Sequence, residues 1–414
     1  MPVIKPFKAF RPEPELVAEV ASLPYDVLNS EEARQLAKDN PYSFLHISKA
    51  EIDLDSSIDH YDQRVYEKAR ENLDRLIEKK VYLQEEQEKI YIYRQIMKGR
   101  AQTGLVVCVS VDDYLQGKIK KHENTREDKE NDRINHIDFT NANTGPVFLT
   151  YKAKDEIKQI LSRWINNENP LYDFTTEDGI THTCWVIDDE STIQRLIESF
   201  AEIDYLYIAD GHHRAAAAAK VGLKRREQLK NYTGKEEFNY FLSVLFPHDE
   251  LYIMDYNRVA ADLAGNSKEE FIRKISEKFT IEEYSGEGPC RPKAKHTFGM
   301  YLGNCWYKLT AKPGTFAEDD AIDSLDVSIL QNNLLTPILG IEDPRTDQRI
   351  EFIGGIRGLE ELEKRVKAGM KAAFSMYPTP IEELMKVADA EKLMPPKSTW
   401  FEPKLRSGIF VHKL

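Results

Sequence analysis

The amino-acid sequence predicts an α+β fold of mixed sheets with packed helices. Three observations lead there. Short apolar runs recur in hairpin-like pairs, as at 90–93 with 104–111, and at 295–302 with 306–310 around Gly303-Asn304. Apolar stripes at three- and four-residue steps mark amphipathic helices between them. At the centre, Leu206-Tyr207-Ile208-Ala209-Asp210 reads as a buried strand that turns at Gly211 into a helix beginning His212-His213-Arg214. Five alanines follow, the best helix formers, with Gly222 as a stop signal.

Taken in order, residues 1–57 mix prolines with short apolar pieces. Residues 22–28 read as a turn into a helix opened by Ser30-Glu31-Glu32-Ala33, and 41–47 as a strand. Ile58, Tyr61, Val65, Ala69, Leu73, Leu76 and Ile77 share one helical face, which core packing explains. The strand pair at 90–93 and 104–111 follows, with a short helix from Asp112. Residues 120–133, Lys-Lys-His-Glu-Asn-Thr-Arg-Glu-Asp-Lys-Glu-Asn-Asp-Arg, carry no apolar stripe. Such a stretch is a solvated helix face or part of a polar cleft, and the solvated face is the more economical reading. The Glu123/Arg126 and Lys129/Arg133 spacings put each pair on one helical face.

A turn-rich loop at 141–146 leads to a strand at 147–151. Helices at 155–165 and 191–200 flank a strand at 182–187. Beyond the alanine helix, 238–246 reads as a buried strand and 251–254 as its hairpin partner. From about 256 the pattern changes, with helices near 271–279, 325–335, 359–366 and 380–389, the 295–310 hairpin, and strands at 349–353 and 409–412. The change predicts two regions, 1–255 and 256–414.

Composition bounds the function. The chain has 414 residues and a formal net charge of -13, which disfavours sequence-independent binding to nucleic acid. It has no apolar run of about 18 residues, so no membrane span is expected, and residues 1–14 lack an apolar signal core. Cys108, Cys184, Cys290 and Cys305 are far apart and form no Cys-x-x-Cys pair. A cytoplasmic setting fits these features. The oligomeric state, a homo-oligomer included, is left open.

The junction at 210–214 concentrates chemistry. A helix N-terminus offers unpaired amides and the positive end of a dipole, a ready anion site. Arg214 adds a planar fork for phosphate or carboxylate, and His212 and His213 titrate near neutral pH. The plain alternative is that Asp210 only caps the helix, with Gly211 permitting the turn. The tail 394–408 carries Lys397, Ser398, Thr399 and Lys404 among three prolines. It reads equally as a rigid phosphate-binding loop and as a surface wrap.

Five segments, in order, resemble one prokaryotic family of unknown function, catalogued as number one thousand and fifteen. They are Leu23-Pro24-Tyr25-Asp26-Val27; 40–46; His122-Glu123-Asn124-Thr125 with Lys129 and Asp132-Arg133; Ala209-Asp210-Gly211-His212-His213-Arg214; and 394–408. The 210–214 turn is also similar to the ParB/sulfiredoxin fold, in which a Gly-x-x-Arg turn at a helix start holds nucleotide phosphates. Sulfiredoxins place a cysteine after the glycine. Here it is His212, which disfavours sulfinic-acid repair. Partition proteins pair the turn with a basic recognition helix, which the sequence lacks. The free serine kinase branch, with Asp-Gly-His at this turn, matches best.

The resemblance implies a ParB/sulfiredoxin-like catalytic region with N-terminal additions at 1–255, and an α+β region at 256–414 that returns its Lys/Ser/Thr loop to the site. It implies phosphoryl transfer or phosphate-ester cleavage on a small metabolite, serine or phosphoserine with a nucleotide. Gly211 and the following amides would cradle phosphate and Arg214 would neutralise its oxygens. Asp210 would act as base or ligate Mg2+, with ATP or ADP as nucleotide. His122 and Glu123 would supply a second acid/base pair, and His212 and His213 would cradle phosphate with Gly211. Thr125, Lys129, Arg133, Lys397, Ser398, Thr399 and Lys404 would contact phosphate. The alternatives are a nucleotide-binding regulator of the ParB-like class without turnover, and a metallohydrolase using His122, Glu123 and His212 or His213. The spacing of those three matches no zinc motif.

Overall fold

The computed structural model describes residues 1–414. It divides into two compact units, Met1–Leu251 with Pro403–Leu414, and Tyr252–Glu402. The fold class is α+β, as the sequence predicts.

The first unit is built on a nine-stranded mixed sheet. Its strands are β1 (Ile4–Lys5), β2 (Ile90–Met97), β3 (Arg100–Ser110), β4 (Ile119–Lys120), β5 (Val147–Tyr151), β6 (Tyr172–Thr175), β7 (Thr181–Ile187), β8 (Leu206–Asp210) and β9 (Tyr240–Pro247). The spatial order is β4-β8-β5-β9-β3-β2-β7-β6, with β1 paired to β3. The β4–β8 and β5–β9 pairs are parallel and the others antiparallel. Its five longest helices are α1 (Gln63–Glu78), α2 (Glu127–Thr140), α3 (Asp155–Asn167), α4 (Glu190–Ala201) and α5 (His212–Gln228). One core joins Leu105, Val107 and Val109 of the sheet to Ile157 of α3, Phe200 of α4 and Ala217 of α5.

The five alanines of α5 are all buried, so the helix can lie close to its neighbours. Gly222 does not stop it. The helix runs to Gln228, and a Cβ at Gly222 would stand 2.7 Å from the Phe238 carbonyl oxygen. That glycine serves close packing rather than termination.

The second unit has a six-stranded antiparallel sheet of β10 (Tyr256–Ala260), β11 (Phe279–Glu283), β12 (Thr297–Leu302), β13 (Cys305–Ala311), β14 (Ile350–Gly354) and β15 (Ala372–Ser375). Its order is β11-β13-β12-β15-β10-β14. No helix of the chain is long and apolar enough to cross a membrane.

Four local expectations are corrected. Residues 41–47 form a turn and a short helix, Leu45–Ser48. Phe44, Leu45, Ile47 and Ser48 are all buried there, so the apolar run is a helical turn packed into the core rather than a strand. The long helix begins at Gln63, where the Asp62 carboxylate caps it; Ile58 and Tyr61 precede it. Residues 252–254 pair with Trp400–Glu402, not with β9, because β9 ends at Pro247 and a 3-10 turn, His248–Glu250, redirects the chain. Finally, helix begins only at Glu127 within 120–133, so Glu123 and Arg126 share no helical face. Nor is this a solvated face: Glu130, Asp132, Arg133 and His136 are buried.

Burial, with Arg133 adding to it, pushes His136 down to about 4. Burial, with Arg406 adding to it, pushes His182 down to about 3. Both folded values lie below the unfolded value near 6.5, so their stabilising contribution is complete above that pH and is lost as pH falls towards 4. At about 1.4 kcal/mol per pKa unit, each ring removes on the order of 3 kcal/mol. Urea unfolding of the first unit should therefore lose stability steeply between pH 7 and pH 4, and His182→Gln should flatten the slope. A flat profile for the wild type would contradict this.

Candidate active site

Strand β8 breaks register as it ends. Ile208 pairs with Leu149 but Asp210 pairs with Phe148, so Ala209 is the extra residue of a bulge. A bulge bends the strand and re-aims the side chain beyond it, here Asp210. Gly211 then adopts φ 97°, in the left-handed region, and no side chain caps the 17-residue helix α5 that follows. A Cβ at Gly211 would lie 3.0 Å from Arg214 Nε and 3.1 Å from Cζ. The guanidinium is folded back over its own turn.

Arg214 is not saturated there. Its Nη1 donates to the Pro146 carbonyl at 2.6 Å, Nη2 stands 3.9 Å from Asp210 Oδ1, and Nε is buried without a hydrogen-bond partner. Asp210 accepts instead from Lys404 Nζ at 3.1 Å through Oδ2. Burial would raise the Asp210 carboxyl, yet the charges of Lys404 and Arg214 outweigh it and hold the group well below the usual carboxylate range.

On the other side stand two histidines and a glutamate. The His122 and His212 rings meet edge to face, centroids 4.5 Å apart, and Glu123 Oε2 is 3.8 Å from His212 Nδ1. One ring nitrogen of each histidine and a Glu123 oxygen all lie within 4.8 Å of one another, a set able to hold a metal ion. Both rings are buried and Glu123 is exposed. Burial pushes His122 down to about 4, against a hydrogen bond with the Ile208 backbone and the charge of Asp210. Burial and the neighbouring His122 push His212 well below its ordinary value. At neutral pH both rings are uncharged, and His122 Nδ1 and His212 Nε2 have no hydrogen-bond partner. A neutral imidazole can accept a proton or ligate a metal.

The 120s segment is tied to the turn directly, since the Arg126 backbone N–H donates to His213 Nε2 at 3.0 Å. Behind the turn is a cavity of about 30 Å³ whose wall includes Arg214, Arg133, Tyr25, Gly145 and Ser407. That is room enough to admit a water molecule. Arg133 donates twice to Asp132 Oδ2, at 3.0 and 2.7 Å, and its guanidinium lies 3.8 Å from the centroid of the Tyr25 ring.

The tertiary structure thus gathers Asp210, Gly211, His212, His213, Arg214, His122, Glu123, Arg133 and Lys404. Thr125 donates to Glu130 at 2.7 Å, and Lys129 Nζ lies 5.3 Å from the centroid of the Tyr61 ring. Lys397, Ser398 and Thr399 belong to the second unit, where Ser398 Oγ donates to the Pro395 carbonyl and the Ser398 carbonyl accepts from Thr379. Sequence reasoning assigned no role to Tyr25, Ser407 or the Pro146 carbonyl. Tyr25 and Ser407 lie within the segments 23–27 and 394–408 that carry the family resemblance, a signal that could have marked them. The Pro146 carbonyl has no side-chain signature.

A family model described as a protein of unknown function, DUF1015, matches residues 4–328. No curated protein matches the chain. Among solved structures, the chain is similar to a free serine kinase in complex with AMP, at 14% identity over 73% of this chain and 91% of that one, TM-score 0.36. It is also similar to a conserved hypothetical protein from Pyrococcus furiosus, at 15% identity over 74% and 95%, TM-score 0.35. A C-terminally truncated SbnI from Staphylococcus aureus is similar at 12% identity over 72% and 82%, TM-score 0.36.

Gly211 meets two demands, a left-handed backbone and room for the guanidinium. Gly211→Ala should cost about 1–2 kcal/mol from the backbone alone, read as a Tm lowered by a few degrees. Gly211→Asn tolerates that conformation better and should recover part of the loss, while still displacing Arg214. An unchanged Tm for Gly211→Ala would refute the geometry.

Proposed function

The chain belongs to the DUF1015 family, proteins of unknown function, and from that premise we propose an enzyme of phosphoryl transfer or phosphate-ester cleavage on a small metabolite. Serine or phosphoserine with a nucleotide is the substrate pair of this reading. One observation carries it: a guanidinium with a buried, unpartnered Nε is folded over the uncapped N-terminus of a long helix. Amides and guanidinium together make a socket for an anion.

In this reading the amides of residues 212–214 and the Arg214 fork receive phosphoryl oxygens as charge builds on them. Asp210 holds Lys404 beside Arg214 in the free protein, so both cations wait at the turn. When phosphate arrives, Lys404 shifts its charge towards it. A Mg2+ ion carried by a nucleotide would find a hard oxygen ligand in Asp210 and would supply further neutralisation. Glu123, flanked by neutral His122 and His212, takes the proton of an attacking hydroxyl, or returns it in the reverse direction. Arg133 is a second guanidinium for the transferred group, and His213 holds the 120s segment against the turn. Thr125, Lys129, Lys397, Ser398 and Thr399 are assigned no step.

A regulator of the ParB-like class would use the same socket to bind a nucleotide without turnover. A second catalytic reading, metal-assisted hydrolysis, is favoured by the close approach of His122, Glu123 and His212 donor atoms.

Formation of ADP from ATP with serine, and of ATP from ADP with phosphoserine, separates these readings. Arg214→Ala, Asp210→Asn and Glu123→Gln should each lower kcat by about 10²-fold or more. Equal rates for all four proteins would end the assignment, and a nucleotide-induced rise in Tm without turnover would leave the regulator. Metal analysis of purified protein supplies the remaining contrast. Phosphoryl transfer predicts no stoichiometric transition metal, whereas one equivalent lost in His212→Gln would move the site to metal-assisted hydrolysis.

A further inference from the structure

The second unit holds a cation without a counter-charge. Arg258 lies on β10, opposite Phe352 of β14 and Phe374 of β15, and is only 4% exposed. Its Nη1 donates to the Tyr256 carbonyl, and its Nη2 to the Lys397 carbonyl at 3.0 Å. Burial pushes the guanidinium down to about 10, and no carboxylate offsets it. Neutral carbonyls satisfy hydrogen bonds but not charge, and a buried ion is costly unless paired.

This guanidinium opens on a cleft of about 330 Å³, with Phe352, Pro395 and Pro396 as apolar walls and Gln331 and Glu342 as polar ones. The volume lies at the small end of the range for ligand pockets. Asp343 of the same cleft is already committed to Arg345, at 3.0 and 2.8 Å. Lys397 adopts φ 58°, and its carbonyl is one of the two that hold Arg258. The proline-rich tail that reads as a phosphate loop in sequence therefore forms part of this cleft.

We propose that the cleft binds a free amino acid as a zwitterion, its carboxylate paired with Arg258, its ammonium facing Glu342, and its side chain against Phe352 and the two prolines. A guanidinium fork matches carboxylate and phosphate alike, but Glu342 in the same small space repels a phosphate dianion and attracts an ammonium. The site is independent of the phosphoryl-transfer reading, which uses only residues of the first unit.

The test uses the full chain and calorimetric titration with the twenty amino acids, together with 3-methylbutylamine, 4-methylpentanoate and inorganic phosphate. At least one amino acid should bind one-to-one, and 3-methylbutylamine, which lacks the carboxylate, should not. Arg258→Met should weaken that binding at least tenfold, while Arg214→Ala leaves it unchanged. Glu342→Gln should weaken amino-acid binding and spare any 4-methylpentanoate binding. Without ligand, Arg258→Met should keep or raise the Tm, because it removes an uncompensated buried charge.

The proposal is overturned if no amino acid binds at millimolar concentration, if Arg258→Met binds as the wild type does, or if phosphate alone binds through Arg258. It is also overturned if the bound amino acid is lost in Arg214→Ala rather than in Arg258→Met. A Tm well below wild type for Arg258→Met would make Arg258 a structural clamp on the 395–397 segment and would equally overturn it.

Discussion

Asp210 stands between two cations, Lys404 at 3.1 Å and Arg214 at 3.9 Å, and the arrangement of the turn depends on that unequal sharing. Lys404 takes one carboxylate oxygen by a direct hydrogen bond. Arg214 is left with a long ion pair, one carbonyl and an unpartnered Nε. A guanidinium fully engaged by Asp210 would be architecture alone. Held this way, it keeps hydrogen-bonding capacity at a helix start that no side chain caps, and a buried donor without a partner favours whatever anion can reach it.

The 120s segment gives the site its second face. It reads as solvated because charged residues fall on every side of the helix. Three of them, Glu130, Asp132 and Arg133, are nevertheless buried, and so is His136. Asp132 pairs with Arg133 and also accepts from the Tyr66 hydroxyl at 3.0 Å, Glu130 pairs with Lys220, and His136 meets the Ile47 carbonyl at 3.0 Å. Each of these four residues has found a partner, which is the condition for burying it at all. Satisfied in this way, the helix packs along α5 and carries His122 and Glu123 to the turn.

The two units use their arginines differently. In the first, Arg133 and Arg214 share a cavity wall while Asp132 and Asp210 provide counter-charge. In the second, Arg258 has carbonyl partners and no acid. Buried charge that a fold leaves unbalanced is more informative than a paired one, because its cost must be met by something outside the chain's own contacts.

The sequence by itself determined the α+β class, the main hairpins, the strand-turn-helix that starts at Leu206 (though not its end at Gln228) and the family, because these rest on local periodicity, turn chemistry and contiguous motifs. It also marked Asp210 to Arg214, His122, Glu123 and Lys404. Only the tertiary structure decided which of them meet. Glu123 is 89 residues from His212, and Lys404 is 194 residues from Asp210, distances over which local propensity says nothing. The bulge at Ala209, the carbonyl of Pro146 and the missing counter-charge at Arg258 are likewise products of register and burial. Backbone groups and absent partners leave no trace in a list of side chains.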